Sequence, residues 1–125
     1  MKNKAFIILF LAAILLIYLP QNALSDNRIK TCQRLIAMGF DGIDIDWEFI
    51  GPFPGMNFTG SEADYHNFTL LMQDIRAAIG PDKVLMAALS CDPAKLKNLE
   101  WAELDKVMDY INLMTYDMDG AWSDY

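Results

Sequence analysis

An α/β fold with parallel strands is predicted here by three observations. Helix-period and strand-period segments alternate along the chain. Of the strand-length segments, Val84 to Leu89 is a continuous apolar run, the mark of a strand buried on both faces, and Tyr110 to Tyr116 is apolar. The remaining strand carries acids at every second position, with bulky apolar residues between them.

The first helix is read from Asn27 to Met38. Ile29, Cys32, Leu35 and Ile36 fall at helical spacing, and Gly39 supplies a C-terminal stop. A strand follows from Phe40 to Phe49, and then a loop from Ile50 to Gly60 punctuated by Gly51-Pro52-Phe53-Pro54-Gly55. Ser61 can cap the second helix, with Asp64 three residues on. Tyr65, Phe68, Met72, Ile75 and Ile79 form its apolar stripe, and Gly80-Pro81 ends it. Val84 to Leu89 is the second strand. Asp92-Pro93 starts a short helix. A further helical stretch from Leu99 to Met108 leads into a third strand, Tyr110 to Tyr116.

The N-terminus reads differently. Lys2 and Lys4 precede an unbroken apolar run from Ala5 to Leu19, Pro20 breaks it, and Ala23-Leu24-Ser25 offers small residues for cleavage. This is the pattern of a secretory signal peptide over residues 1–25, and the apolar run is short of the roughly 20 residues that span a bilayer. Residues 26–125 then form the mature part, which is expected to be extracellular with no stable membrane association. They keep all 17 acidic residues and eight basic ones, a formal charge of −9. Such a charge argues against nucleic acid as a partner and is compatible with a neutral polysaccharide. Asn57-Phe58-Thr59 and Asn67-Phe68-Thr69 are N-glycosylation acceptors, in keeping with secretion. Cys32 and Cys91 could pair in an oxidising compartment or remain separate buried thiols.

Asp44, Asp46 and Glu48 carry the chemistry. Alternation places all three on one face of their strand and Ile43, Ile45 and Trp47 on the other. A row of acids backed by a hydrophobic face is costly unless it is used. Asp44 and Asp46 are expected to share a proton. Glu48, beside negative charge, is expected to hold a proton near neutral pH and act as a general acid. Ser90 ends the second strand, and Tyr116 and Asp117 end the third, at the edge where sites form on parallel sheets. Asp41 has the opposite parity and is assigned to the turn into the strand. Trp47 is assigned to packing against helices. His66, the only histidine, is given no catalytic role.

Phe40-Asp41-Gly42-Ile43-Asp44-Ile45-Asp46-Trp47-Glu48 resembles the signature of the glycoside hydrolase family 18 chitinases. Met114-Thr115-Tyr116-Asp117, followed by Gly120-Ala121-Trp122, resembles the family's second site motif. The resemblance covers about residues 28–125. It implies a portion of a TIM (β/α)8 barrel, incomplete, with three strands corresponding to the family's fourth, fifth and sixth.

It implies hydrolysis of β-1,4-N-acetylglucosamine linkages in chitin or its oligosaccharides, with retention at the anomeric carbon and attack by the substrate's own acetamido oxygen. Glu48 would be the acid, Asp46 would hold the acetamido group, Asp44 would exchange a proton with Asp46, and Tyr116 would bond the acetamido oxygen. Asp117, Met114 and Trp122 would bind sugar, although Met114 is also compatible with plain barrel core. No cofactor or metal is implied. A chain with so few strands is expected to be inactive by itself. N-glycan cores are an alternative substrate, and a non-catalytic chitin-binding lectin or an inactive fragment is an alternative reading of the whole. Intact Glu48 favours the enzyme. Phe49-Ile50-Gly51-Pro52 departs from the family's usual tyrosine-proline and alters the loop rather than the acid.

Overall fold

The computed structural model describes residues 6–10, 21–48, 50–52 and 60–116. The elements run β1 (Phe6–Phe10), α1 (Gln21–Ala37), β2 (Gly42–Asp46), α2 (Ala63–Ile79), β3 (Val84–Ser90), α3 (Pro93–Leu96), α4 (Trp101–Leu104) and β4 (Tyr110–Met114). The four strands form one sheet in the order β1-β2-β3-β4. Every neighbouring pair is parallel. Sequential parallel strands joined by helices make an arc of a (β/α)8 barrel, which needs eight strands to close.

The sheet has one strand more than the sequence reading supplied. β1 comes from the apolar run assigned to the signal peptide, and Phe6–Phe10 lies in register against Gly42–Asp46. α1 likewise begins six residues before the expected Asn27, at Gln21. An apolar pentapeptide of Phe, Ile and Leu meets the needs of a buried parallel strand as well as those of a leader, so composition alone does not separate the two. No helix among the described residues is long and apolar enough to cross a membrane.

α1 stops at Gly39, whose φ of 99° is open to glycine and strained for other residues. The Gly39 N–H donates to the Ile36 carbonyl at 3.0 Å and the Phe40 N–H to the Leu35 carbonyl at 3.3 Å. This paired arrangement closes the helix end and turns the chain into β2. Gly42 opens that strand because a Cβ there would lie 2.4 Å from the Val84 carbonyl oxygen.

α2 starts one residue later than expected, at Ala63, and its N-cap Glu62, in place of Ser61, makes no side-chain capping bond. The expected Ser61–Asp64 pair forms in one direction: Asp64 Oδ2 accepts from the Ser61 N–H at 2.8 Å. α3 forms as expected behind Asp92, whose Oδ1 accepts from the Ala94 N–H at 2.9 Å. The helix expected from Leu99 to Met108 shrinks to the single turn of α4, and turns carry the chain on to β4.

The core lies between the sheet and α1 and α2. Ile43 and Ile45 of β2 and Leu85, Ala87 and Leu89 of β3 pack with Phe68, Leu71, Met72, Ile75 and Ile79 of α2 and Cys32 of α1. Each large side chain fully buried here contributes about 1.5–3 kcal/mol of apolar transfer. The expectation that β3 is buried on both faces holds for one. Its helix-facing residues are buried, while Val84, Met86, Ala88 and Ser90 are half-buried. Cys32 and Cys91 are both free, as in the separate-thiol reading, but only Cys32 is buried and Cys91 is half-buried. Asn67 is half-buried on α2 between core residues, and Asn57 lies outside the described residues.

Candidate active site

β2 ends at Asp46, three residues before the expected Phe49. The acidic row is therefore split. Asp44 and Asp46 are in the strand and buried, at 3% and 6% exposure. Glu48 stands two residues past the strand's carboxyl end and is exposed. The other face of the same strand explains why the acids stay where they are. Ile43 and Ile45 are fully buried against the helices. A one-residue slip would put both isoleucines on the acid face and both aspartates in the core. Trp47 takes the helix side, as expected. It is half-buried against the core and meets the Phe68 ring edge-on, with centroids 6.0 Å apart. This contact fixes the chain just before Glu48.

The two aspartates have few partners. Asp44 Oδ2 accepts from the Asn112 side-chain amide at 2.7 Å. Asp44 Oδ1 and Asp46 Oδ1 are buried with no hydrogen-bond partner among the described residues. Burial pushes the Asp44 carboxyl above its ordinary value. The Asn112 bond opposes that, and the charge of Asp46 adds to it. Burial alone pushes Asp46 up. Both groups therefore hold protons more readily than free aspartate, and their unpartnered oxygens can take part in a shared proton or meet an incoming polar group.

Asn112 was not anticipated from the sequence. It lies in β4, in register with Ala88, which is itself in register with Asp46. Its side chain reaches diagonally across β3 to Asp44, and the small Ala88 leaves room for it. The available signal was parity: Asn112, Met114 and Tyr116 alternate along one strand and its extension.

Met114 is half-buried at the end of β4, beside Ser90 of β3. The Ser90 hydroxyl accepts from the Asp92 N–H at 3.1 Å and so shapes the turn after β3. Tyr116 lies beyond the end of β4, two residues further than the strand reaches, and is 64% exposed. Asp117 and Trp122 lie outside the described residues. The carboxyl ends of β2 and β4 thus carry Glu48 and Tyr116 at the same edge of the sheet. His66 is an exposed residue of α2 bonded to Glu100 at 3.1 Å, in keeping with a structural role.

The comparisons with known proteins agree with the fold. Chitinase 1 of Aphanocladium album is 38% identical over 96 residues, covering 70% of this chain and 21% of its own length. Chitinase ChiA74 of Bacillus thuringiensis superposes with a TM-score of 0.69 at 32% identity, over 83% of this chain and 18% of that one. The second catalytic domain of the group II chitinase of Ostrinia furnacalis, a mutant in complex with penta-N-acetylchitooctaose, superposes at 0.67 with 27% identity. It is matched over 80% of this chain and 27% of that one. The chain spans about a fifth of the length of the curated relatives it matches. The model for glycosyl hydrolases family 18 matches residues 21–125, and the chain belongs to that family.

Proposed function

We propose that this segment carries the acid and the paired carboxylates of a retaining, substrate-assisted hydrolase of β-1,4-linked N-acetylglucosamine. One observation carries the reading. Asp44 and Asp46 are buried on one strand face, each with an unpartnered oxygen, immediately before Glu48 at the strand's carboxyl end.

In this reaction Glu48 gives its proton to the glycosidic oxygen as the bond to the anomeric carbon breaks. The substrate's acetamido oxygen attacks that carbon and forms a cyclic oxazolinium ion, so no enzyme carboxylate becomes covalently attached. Asp46 accepts the acetamido N–H and balances the positive charge that develops. Asp44 trades a proton with Asp46 as that charge rises and falls. Tyr116 holds the acetamido oxygen at its angle of attack. Glu48, now a base, deprotonates the water that opens the ring, and two inversions leave the configuration retained. Met114 and Asp117 line the sugar subsite, and Trp122 stacks on a neighbouring ring.

Chitin is the substrate favoured by the relatives named above, with N-glycan cores as the neighbouring possibility. Residues 1–25 act as a secretory leader in this reading, and the enzyme works outside the cell. Loss of the leader takes β1 with it and leaves three of the described strands, fewer than half of a closed barrel, so the segment alone is expected to be inactive.

The test is turnover of an N-acetylglucosamine oligomer by the enzyme in which this segment sits in a closed barrel. Glu48→Gln should lower kcat by roughly a thousandfold and leave oligomer binding intact. Turnover near wild type would mean that another group is the acid.

A further inference from the structure

The bond between Asn112 and Asp44 does more than satisfy a buried acid. A side-chain N–H can only donate. It occupies Oδ2 of Asp44 at 2.7 Å and disfavours a proton on that oxygen. The other oxygen, Oδ1, is buried and unpartnered, as is Oδ1 of Asp46 on the same strand face. Ala88 lies in register between Asp46 and Asn112 and presents only a methyl group, so nothing on β3 competes for the amide. Without Asn112 the Asp44 carboxyl has no described polar contact to set its rotation.

We propose that Asn112 is a positioning residue for the carboxylate pair: it ties down Oδ2 of Asp44 and leaves Oδ1 as the oxygen that exchanges a proton with Asp46. The proposal rests on the hydrolase reading for its purpose, but its geometry stands apart from turnover. Among the described side chains, the titratable groups on the same sheet face are Asp46 and Tyr110, the latter in register with Met86 and through it with Asp44, and Glu48 and Tyr116 follow on the same parity just past the ends of β2 and β4.

The enzyme in which this segment sits in a closed barrel, carrying 13C-labelled aspartate carboxyl groups and 15N-labelled asparagine, is titrated by NMR. In the wild type the Asn112 side-chain amide should shift with the same midpoint as the Asp44 carboxyl carbon. Asn112→Ala removes the one donor that favours ionised Asp44, so the Asp44 midpoint should rise by about one pH unit, the worth of one charge-assisted hydrogen bond. Asn112→Gln keeps a donor on a longer arm and should recover part of that rise. Tyr110→Ala, a change on the same strand and face with no bond to Asp44, should leave the midpoint in place.

A wild-type Asn112 amide that does not follow Asp44 would overturn the proposal. So would an Asp44 midpoint unchanged in Asn112→Ala, or moved as far by Tyr110→Ala. Because no turnover is measured, the hydrolase reading can fail at the Glu48→Gln test while this assignment survives, and the reverse also holds.

Discussion

Arg76 Nη2 meets Asp109 Oδ2 at 2.6 Å, and that same carboxylate oxygen accepts the backbone N–H of Leu85 at 2.8 Å. Arg76 gives three more of its donors to the carbonyls of Val107, Gly80 and Lys83, at 2.9, 2.8 and 2.6 Å. One guanidinium therefore joins the end of α2 to the entries of β3 and β4, on the edge of the sheet opposite the carboxylates. The ion pair is partly solvated and by itself worth little. The larger effect is that three carbonyls would lose this donor, and the Asp109 carboxylate would be left with the Leu85 N–H.

Arg76→Ala should therefore loosen the entries of β3 and β4 by about 2 kcal/mol. Amide hydrogen exchange at Leu85 and Asp109 reads this directly, with an expected acceleration of roughly thirtyfold. Arg76→Lys should not restore protection, because an ammonium group cannot span the same fork. Unchanged exchange in Arg76→Ala would show that the backbone ladder holds these strands without the guanidinium.

A second prediction concerns pH. Asp44 and Asp46 are both raised above their ordinary values in the folded state, chiefly by burial. The folded state then binds protons more readily than the unfolded chain. Their contribution to stability is fully present below the ordinary aspartate value and is lost as pH rises through the folded values. Glu100 is shifted the other way by its bonds to Thr69 and His66, but it is an exposed group and its effect is small. The urea midpoint should therefore fall as pH rises from the ordinary aspartate value through the raised folded values of the pair. Asp44→Asn cannot ionise and should flatten that fall. A wild-type midpoint that climbs over the same range would contradict the burial of the pair.

The parts legible in the sequence were those written as periodicity. The stripe from Tyr65 to Ile79 became the buried face of α2, and the Ile43–Ile45 parity set which face of β2 carries acids. Lengths were harder to read. β2 and β4 both stop short of the polar residues at their ends: β2 pairing ends at Asp46 opposite Ala88, two residues before β3 ends, and β4 pairing ends at Met114 opposite Ser90. Asp92 announced α3, yet nothing local announced that α4 would close after one turn. Asn112 escaped notice because its partner is 68 residues away, and an asparagine in a strand has no local signature of its own. β1 escaped because a leader and a buried strand ask for the same residues.

That ambiguity yields a third prediction. Cleavage after Ser25 would remove β1 and the first five residues of α1, leaving β2 at the edge of the sheet. If residues 1–25 are a leader, expression in a secreting host should deliver to the medium a product whose N-terminal residue is Asp26. Mass spectrometry of the secreted and cell-retained forms decides this. A retained chain that begins at Met1 would mean that the apolar run stays with the protein and is available as a strand.

The outer face of the sheet changes character across one strand spacing. Ala87 and Leu89 are buried at 0% and 3%, while their register partners in β4, Ile111 and Leu113, are 43% and 52% exposed. Tyr110 on the opposite face is 64% exposed. The free side of β4 also offers unpaired backbone groups, since the sheet order ends there. An apolar edge strand without a gatekeeping charge is a template for association. The 125-residue chain should accordingly sediment well above its 14.2 kDa monomer mass at tens of micromolar, about the range where exposed edges associate. Ile111→Lys with Leu113→Lys places charge on the open face without touching the acids, Asn112 or the α2 core. The double variant should move the sedimenting mass toward the monomer and lower the binding of hydrophobic dyes. A wild-type chain that sediments as a monomer, or a double variant that associates as strongly, would show that this face does not drive association.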